Sequence, residues 1–286
     1  MKYIKYFLQF CFVVIFFSIF KILGPAVSSN LGGKLFEIIG PIFRSKSIIK
    51  KNLKIAMTNI GDEEITKISK LMWNNYGRVF AEYMFIKDFR FNKLGSNIQV
   101  EGQDILENLK KNNHSAIFIS GHFANFELMA MHIEKSGLDL CAIYRPLNNI
   151  FINKIMERIR KKYICKNQIK KGIGGVKNLI NFTKKNYSTA LMIDQRVSEG
   201  TLSNFFNKKA YTTTIPAQLV KKFNMPVIPV YIERLNGLNF KIKICKPLYF
   251  EEKSSIQYIT DELNLVLQEM LKLNPYQWIW SHNRWK

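Results

Sequence analysis

The chain has 286 residues, 47% of them hydrophobic, and a formal charge of +22 from 43 Lys and Arg against 21 Asp and Glu. That length supports a large core in one domain or two, and the basic excess calls for an anionic partner: phospholipid headgroups, nucleic acid, a phosphorylated substrate or an acidic protein. The four cysteines, Cys11, Cys141, Cys165 and Cys245, include no Cys-x-x-Cys pair, which excludes a zinc knuckle and a thioredoxin-type motif.

An apolar leader comes first. Tyr6 to Phe20 holds no charge, Lys21 interrupts, and Ile22-Leu23 continues to Gly24-Pro25. A spanning helix needs about 20 residues, so the leader reads as a marginal span or a deep interfacial anchor. A signal peptide with a cleavage site at Ala26-Val27-Ser28 is the rival. We assign residues 1–25 to a membrane anchor and 26–286 to the body. Leu31 to Phe43, broken by Gly-Gly and Gly-Pro, predicts short helices hugging the membrane surface. Ile48 to Met57 and Glu63 to Lys87 have helical spacing.

Strands and helices then alternate. Strands are expected near Ile98–Gly102, Ala116–Ser120, Leu140–Tyr144, Ala190–Ile193, Val227–Ile232 and Phe240–Ile244. Helices are expected after Asp104, over Glu127–Ser136, Ile150–Tyr163, Gly175–Asn186, Thr214–Phe223 and Ser255–Leu273. This alternation predicts an α/β fold: a single domain whose central, mostly parallel mixed sheet is flanked by helices, preceded by an N-terminal membrane-anchoring helix.

Gly121-His122-Phe123-Ala124-Asn125-Phe126-Glu127 follows one of those strands and opens a helix. In α/β proteins the carboxyl end of a sheet is where reactive side chains are presented. His122 and Glu127 fit a general base oriented by a buried acid, with no Ser or Cys nucleophile beside them. Five residues on one helix turn through roughly 500°, so the two converge only if His122 lies on the turn and Glu127 in the first helical turn. The helix dipole would then keep His122 neutral and usable as a base.

Other strand ends carry polar groups: Arg145 after Tyr144, and Asp194-Gln195-Arg196 after Ile193. With parallel strands these share one rim with His122. Arg145 has the fork that suits a phosphate; a structural pair with Asp194 is its bland alternative. Lys170-Lys171-Gly172 offers charge and amides to an anion, without matching a P-loop or dinucleotide fingerprint. Residues 151–222 hold 16 Lys and Arg against 3 Asp and Glu, which marks an anion-facing surface. The aromatic ending from Trp278 to Lys286 rests at a membrane interface or closes the core.

Taken in order, His122-x4-Glu127, Tyr144-Arg145-Pro146 with Asn148-Asn149, Asp194-Gln195, Phe205-Phe206 with Ala210 and Thr212, and the ending Gln277 to Lys286 resemble the bacterial lipid A biosynthesis acyltransferases. These are the late lauroyl and myristoyl transferases within the glycerolipid acyltransferase-like superfamily. The resemblance covers nearly the whole chain. It departs at Asn207-Lys208-Lys209, where the family usually has Gly-x-Pro, and the broader glycerophosphate acyltransferases carry Asp at the position of Glu127.

The resemblance implies acyl transfer from an acyl carrier protein thioester to a hydroxyl of a lipid A precursor at the cytoplasmic face of the inner membrane. His122 and Glu127 would be catalytic. Arg145, Asp194, Gln195, Arg196 and Lys171 would bind the anionic glycolipid, with no metal and no cofactor. An acceptor such as a lysophospholipid is the nearest alternative. A zinc hydrolase lacks the His-Glu-x-x-His pattern, and a non-enzymatic basic module binding membrane or nucleic acid leaves the strand-end residues unexplained. Nucleic acid is therefore not an expected partner.

Overall fold

The computed structural model describes residues 2–95 and 98–286; Met1, the first residue of the expected anchor, lies outside them. Five helices come first: α1 (Lys2–Leu23), α2 (Pro25–Phe43), α3 (Lys46–Ala56), α4 (Asp62–Glu82) and the short α5 (Ile86–Arg90). The body then runs β1 (Ile98–Glu101), α6 (Gln103–Lys111), β2 (Ile117–Ser120), α7 (Glu127–Lys135), β3 (Leu140–Tyr144), α8 (Ile150–Tyr163), β4 (Asn167–Lys170), α9 (Ile173–Lys184) and β5 (Ser188–Met192). It continues through β6 (Thr201–Phe205), β7 (Lys208–Thr212), α10 (Ile215–Phe223), β8 (Val227–Asn236), β9 (Asn239–Ile244) and α11 (Ile256–Leu273).

Seven strands form one sheet in the order β1-β9-β8-β2-β5-β3-β4. All pairings in it are parallel except β8 with β9, which are joined by a tight hairpin. Central β2 lies between β5 and β8, and all four of its residues are buried, as a strand covered on both faces requires. Towards the edge β9 alternates, with Phe240, Ile242 and Ile244 inward and Lys243 outward. One α/β domain with a mostly parallel sheet is thus the fold, as the strand–helix alternation implies.

The register of β2 against β5 sets the chemistry. Ser120 pairs with Met192, so the chain leaves the two strands in step. His122 and Asp194, each two residues further on, emerge side by side. The Ile193 amide donating to Ser120 O at 2.9 Å extends the ladder to the last residue before Asp194.

The N-terminal helices depart from expectation at one point. Leu31 to Phe43 does not form short pieces; α2 is one helix, with Pro41 near its end. Glycines let it lie almost backbone-to-backbone on α4: a Cβ on Gly77 would sit 1.9 Å from Gly32 O, and one on Gly40 2.3 Å from the Trp73 ring. The apolar leader packs on the body. Phe17 and Phe20 of α1 are buried, with their rings against Phe80 of α4 at 5.1 and 6.2 Å.

Two further details correct the sequence reading. Helix α6 starts one residue ahead of Asp104, with Gly102 in the left-handed region as its N-cap. The stretch around Phe205-Phe206, where no strand was expected, is the antiparallel hairpin β6–β7, with Phe206 at φ +54° in its turn. Trp285 donates to Phe205 O at 3.0 Å and stacks on the Phe205 ring, while Gln268 accepts from the Phe206 amide; these contacts hold the turn without a Gly or a Pro in it.

Candidate active site

His122 sits on the turn between β2 and α7, where Ala124 takes a left-handed φ of +41°. Each end of the turn is clamped. Ala124 N donates to Gln277 O at 3.0 Å, and Asn125 Nδ2 donates to Glu82 Oε2 at 2.9 Å. Glu82 is itself buried and saturated, accepting from Ser29 Oγ at 2.7 Å and from both Arg234 terminal nitrogens at 2.5 and 3.0 Å. Gln277 in turn bonds the Arg234 backbone through both ends of its amide, at 2.8 and 2.9 Å. An L-residue at positive φ costs about 1–2 kcal/mol, and this network supplies the counterweight.

The carboxylate against the imidazole is Asp194, not Glu127. His122 Nδ1–H donates to Asp194 Oδ1 at 2.8 Å, and the His122 amide donates to Oδ2 at 2.8 Å. The Trp278 indole N–H also reaches Oδ2, at 2.8 Å. Asp194 is fully buried. Burial pushes its pKa upward, yet His122 and the two N–H donors hold it down to about 2. With Nδ1 committed, Nε2 is the remaining ring nitrogen of His122 and carries the lone pair of this tautomer.

Helix polarity, expected to favour a neutral His122, is opposed by the carboxylates beside it. Burial opposes the imidazolium, but the charge and hydrogen bond of Asp194, with a smaller contribution from Glu127, carry the pKa above its ordinary value. Glu127 does open α7, as expected, but its carboxylate turns to α8. Arg160 grips Oε1 with Nε at 2.9 Å and a terminal nitrogen at 2.5 Å, and the Tyr83 hydroxyl lies 3.4 Å from the same oxygen. The reason is local: a buried carboxylate takes the available guanidinium fork, and Asp194 already fills the Nδ1 side of His122.

The rim residues gather around one cavity of about 520 Å³. His122, Glu127, Arg145, Lys171, Gln195 and Arg196 all line it, as does Arg44, which the sequence did not single out. Its apolar walls include Phe126, Ala130, Ala142, Ile143, Ile164 and Ala190. Ala142 and Ala190 are small and neighbour each other across β3 and β5, leaving room over the sheet. Of the expected substrate-binding residues, Asp194 alone is sealed off; His122 and Trp278 have taken both its oxygens. Nor does Arg145 pair with it: Arg145 is exposed and makes no ion pair among the described residues. Arg196 lies over the Tyr211 ring, and its Nε is buried without an acceptor. Lys170 is spoken for by Glu157 at 3.2 Å, whereas Lys171 makes no ion pair among the described residues and lines the cavity.

The aromatic ending is core rather than interface: Trp278, Trp280 and Trp285 are buried. Its part in the site was missed, although Trp278 is the only indole that touches Asp194 among the described residues. The signal was present in the tryptophan-rich ending itself, but its target lies 84 residues away.

Against known proteins, the family described as bacterial lipid A biosynthesis acyltransferase matches residues 1–286. Lipid A biosynthesis acyltransferase 2 of Shigella flexneri is 22% identical over 189 residues, covering 63% of this chain and 58% of that protein. The chain thus spans less than two thirds of that relative's length. Among solved structures, the 1-acyl-sn-glycerophosphate (LPA) acyltransferase of Thermotoga maritima aligns with a TM-score of 0.43 at 16% identity, over 90% of this chain and 100% of that one. A family match that takes in every residue, joined to a histidine on the rim of an α/β sheet, leads to one conclusion: this chain belongs to the bacterial lipid A biosynthesis acyltransferases.

Proposed function

We propose that the protein moves a fatty acyl chain from an acyl carrier protein thioester to a hydroxyl of a phosphorylated lipid A precursor, at the cytoplasmic face of the inner membrane. The observation that carries this is His122: one ring nitrogen fixed by a buried carboxylate, the other unengaged, on the wall of an apolar cavity rimmed by cations. Nε2 takes the proton of the acceptor hydroxyl as its oxygen attacks the thioester carbonyl. Asp194 stabilises the imidazolium that forms. The tetrahedral oxyanion collapses, the C–S bond breaks, and the departing thiolate recovers its proton from Nε2. No acyl-enzyme is needed.

The other residues follow from this chemistry. Arg44, Arg145, Lys171 and Arg196 suit the phosphates of the acceptor. Glu127 fixes Arg160 on the cavity wall and adds negative potential at His122. The apolar walls take the acyl chain. Acyl carrier proteins are acidic, so the basic stretch 151–222 would steer the donor.

The test is incubation of the purified enzyme with acyl carrier protein thioester and lipid A precursor, read by mass spectrometry. The expected product is the precursor heavier by one acyl group, absent with His122→Ala. Acylation of lysophosphatidate and not of the precursor would move the acceptor to another lipid class.

A further inference from the structure

Helix α8 presents three different sides. Met156, Ile159 and Tyr163 turn inward and pack on the core. On a second side Arg160 and the following Ile164 line the cavity. Glu157 lies one turn before them; it accepts from the Tyr144 hydroxyl at 2.5 Å and from Asn153 Nδ2 at 2.8 Å, and Lys170 Nζ is 3.2 Å away. The third side faces outward. Lys154, Arg158, Lys161 and Lys162 are all exposed, and their spacings of three and four place them in one row on the helix. From Lys154 to Lys162 the row is about 12 Å long at 1.5 Å per residue.

Nothing inside the molecule compensates this row. Like charges four positions apart on a helix repel. The ion pairs of α8 among the described residues are Arg160 with Glu127 and Glu157 with Lys170, and neither draws on the row. From residue 140 to residue 193 the sequence holds 12 Lys and Arg and a single acid, Glu157, which is already engaged. An anion from outside relieves such repulsion. The row has no apolar member, so it lacks the side with which a helix lies in a lipid interface; it fits instead the charged contact of a protein of opposite sign. The helix is also held rigid. Asn149 caps its start by accepting from the Phe151 and Ile152 amides, and Arg90 donates to Tyr163 O at 3.2 Å at its end. The cations are therefore fixed in place before any partner arrives.

The row stands beside the mouth of the cavity. Arg145 to Asn148 line that mouth and lead into α8. A partner seated on the outer side is separated from the cavity by one helix width, roughly 10 Å. Its own surface stays outside, and only a group tethered to it by a flexible arm can enter. We propose that Lys154, Arg158, Lys161 and Lys162 form the docking surface for an acidic acyl carrier protein, whose thioester arm passes over α8 to His122. The choice of this partner rests on the acyl-transfer function above.

Binding tests the surface without reading turnover. Full-length enzyme in detergent is titrated with acyl carrier protein bearing a thioether in place of the thioester. The pair Arg158→Glu with Lys161→Glu should weaken binding by roughly 10–100-fold at low salt and flatten its salt dependence. The milder pair Arg158→Gln with Lys161→Gln should fall in between, which covers the case of a charge-reversed helix that does not fold. KM for the carrier-borne thioester should rise with the loss of binding while kcat holds. A carrier protein with surface acids changed to Lys should bind the reversed variant better than it binds the parent chain. Equal binding of the parent and both variants would overturn the proposal. So would variants that lose only cosedimentation with phosphatidylglycerol vesicles, since the row would then read lipid. An equal fall in turnover from free acyl-pantetheine thioester, which has no protein to dock, would make the row structural and overturn it too. A parent chain that binds the carrier through this row yet transfers no acyl group to the precursor would uphold the surface and sink the acyl-transfer reading instead.

Discussion

Asp194 and Glu127 are both buried carboxylates beside one cavity, yet their partners differ. Asp194 holds an imidazole whose proton is labile near neutral pH. Glu127 holds a guanidinium that never gives its proton up. The first pairing is a proton device; the second is a strut. Which carboxylate does which job is decided by the strand register and by α8, since either is chemically able to orient a histidine.

The largest effect should come from His122→Ala, with turnover down by on the order of 10²–10⁴ and the melting curve by circular dichroism little changed. An unfolded variant would make His122 part of the frame instead. Next is Asp194→Asn, with a loss of roughly 10² and a telling change in pH dependence. The base works when neutral, so activity rises as pH passes the His122 pKa. Asp194 keeps that value high, hence the limb should move to lower pH in the variant.

Glu127→Gln sharpens the contrast. It leaves Arg160 without its anion, so stability should drop by about 1–3 kcal/mol in a denaturant titration. Its limb should also shift downward, but less than that of Asp194→Asn. A larger shift for Glu127→Gln would reverse the two roles. The smallest effect belongs to Trp278→Phe, which removes one donor to Asp194. The depressed pKa of Asp194 contributes stability that is present above its ordinary value of about 3.9 and is lost as pH falls towards about 2. With one donor fewer that value rises, so acid unfolding should begin at a higher pH, at a cost near 1 kcal/mol at neutrality.

The strands that carry the site were legible because they are buried: β2 and β3 are apolar runs, β5 and β8 contain apolar stretches, and the ends of β2, β3 and β5 named the rim residues directly. Strand β4, Asn167–Lys170, and the hairpin β6–β7 were not, since their residues are mostly polar and an edge or exposed ribbon leaves no hydrophobic pattern. His122 was found through its own position; its partner was not. Glu127 is near in sequence, whereas Asp194 becomes adjacent only when β2 and β5 pair with Ser120 opposite Met192. That pairing joins segments 72 residues apart, and no local spacing encodes it. The Arg160 that claims Glu127 lies 33 residues away on another helix, equally invisible to a local motif.

The saturated carboxylate of Glu82 has a consequence for the newborn protein. Its partners include Arg234, 152 positions later, while Asp194 awaits Trp278, 84 positions later. Until the ribosome has released both, the turn bearing His122 lacks its clamps. Catalytic competence should therefore switch on abruptly and late in synthesis, after the lipid-loving helices have already had time to find a bilayer.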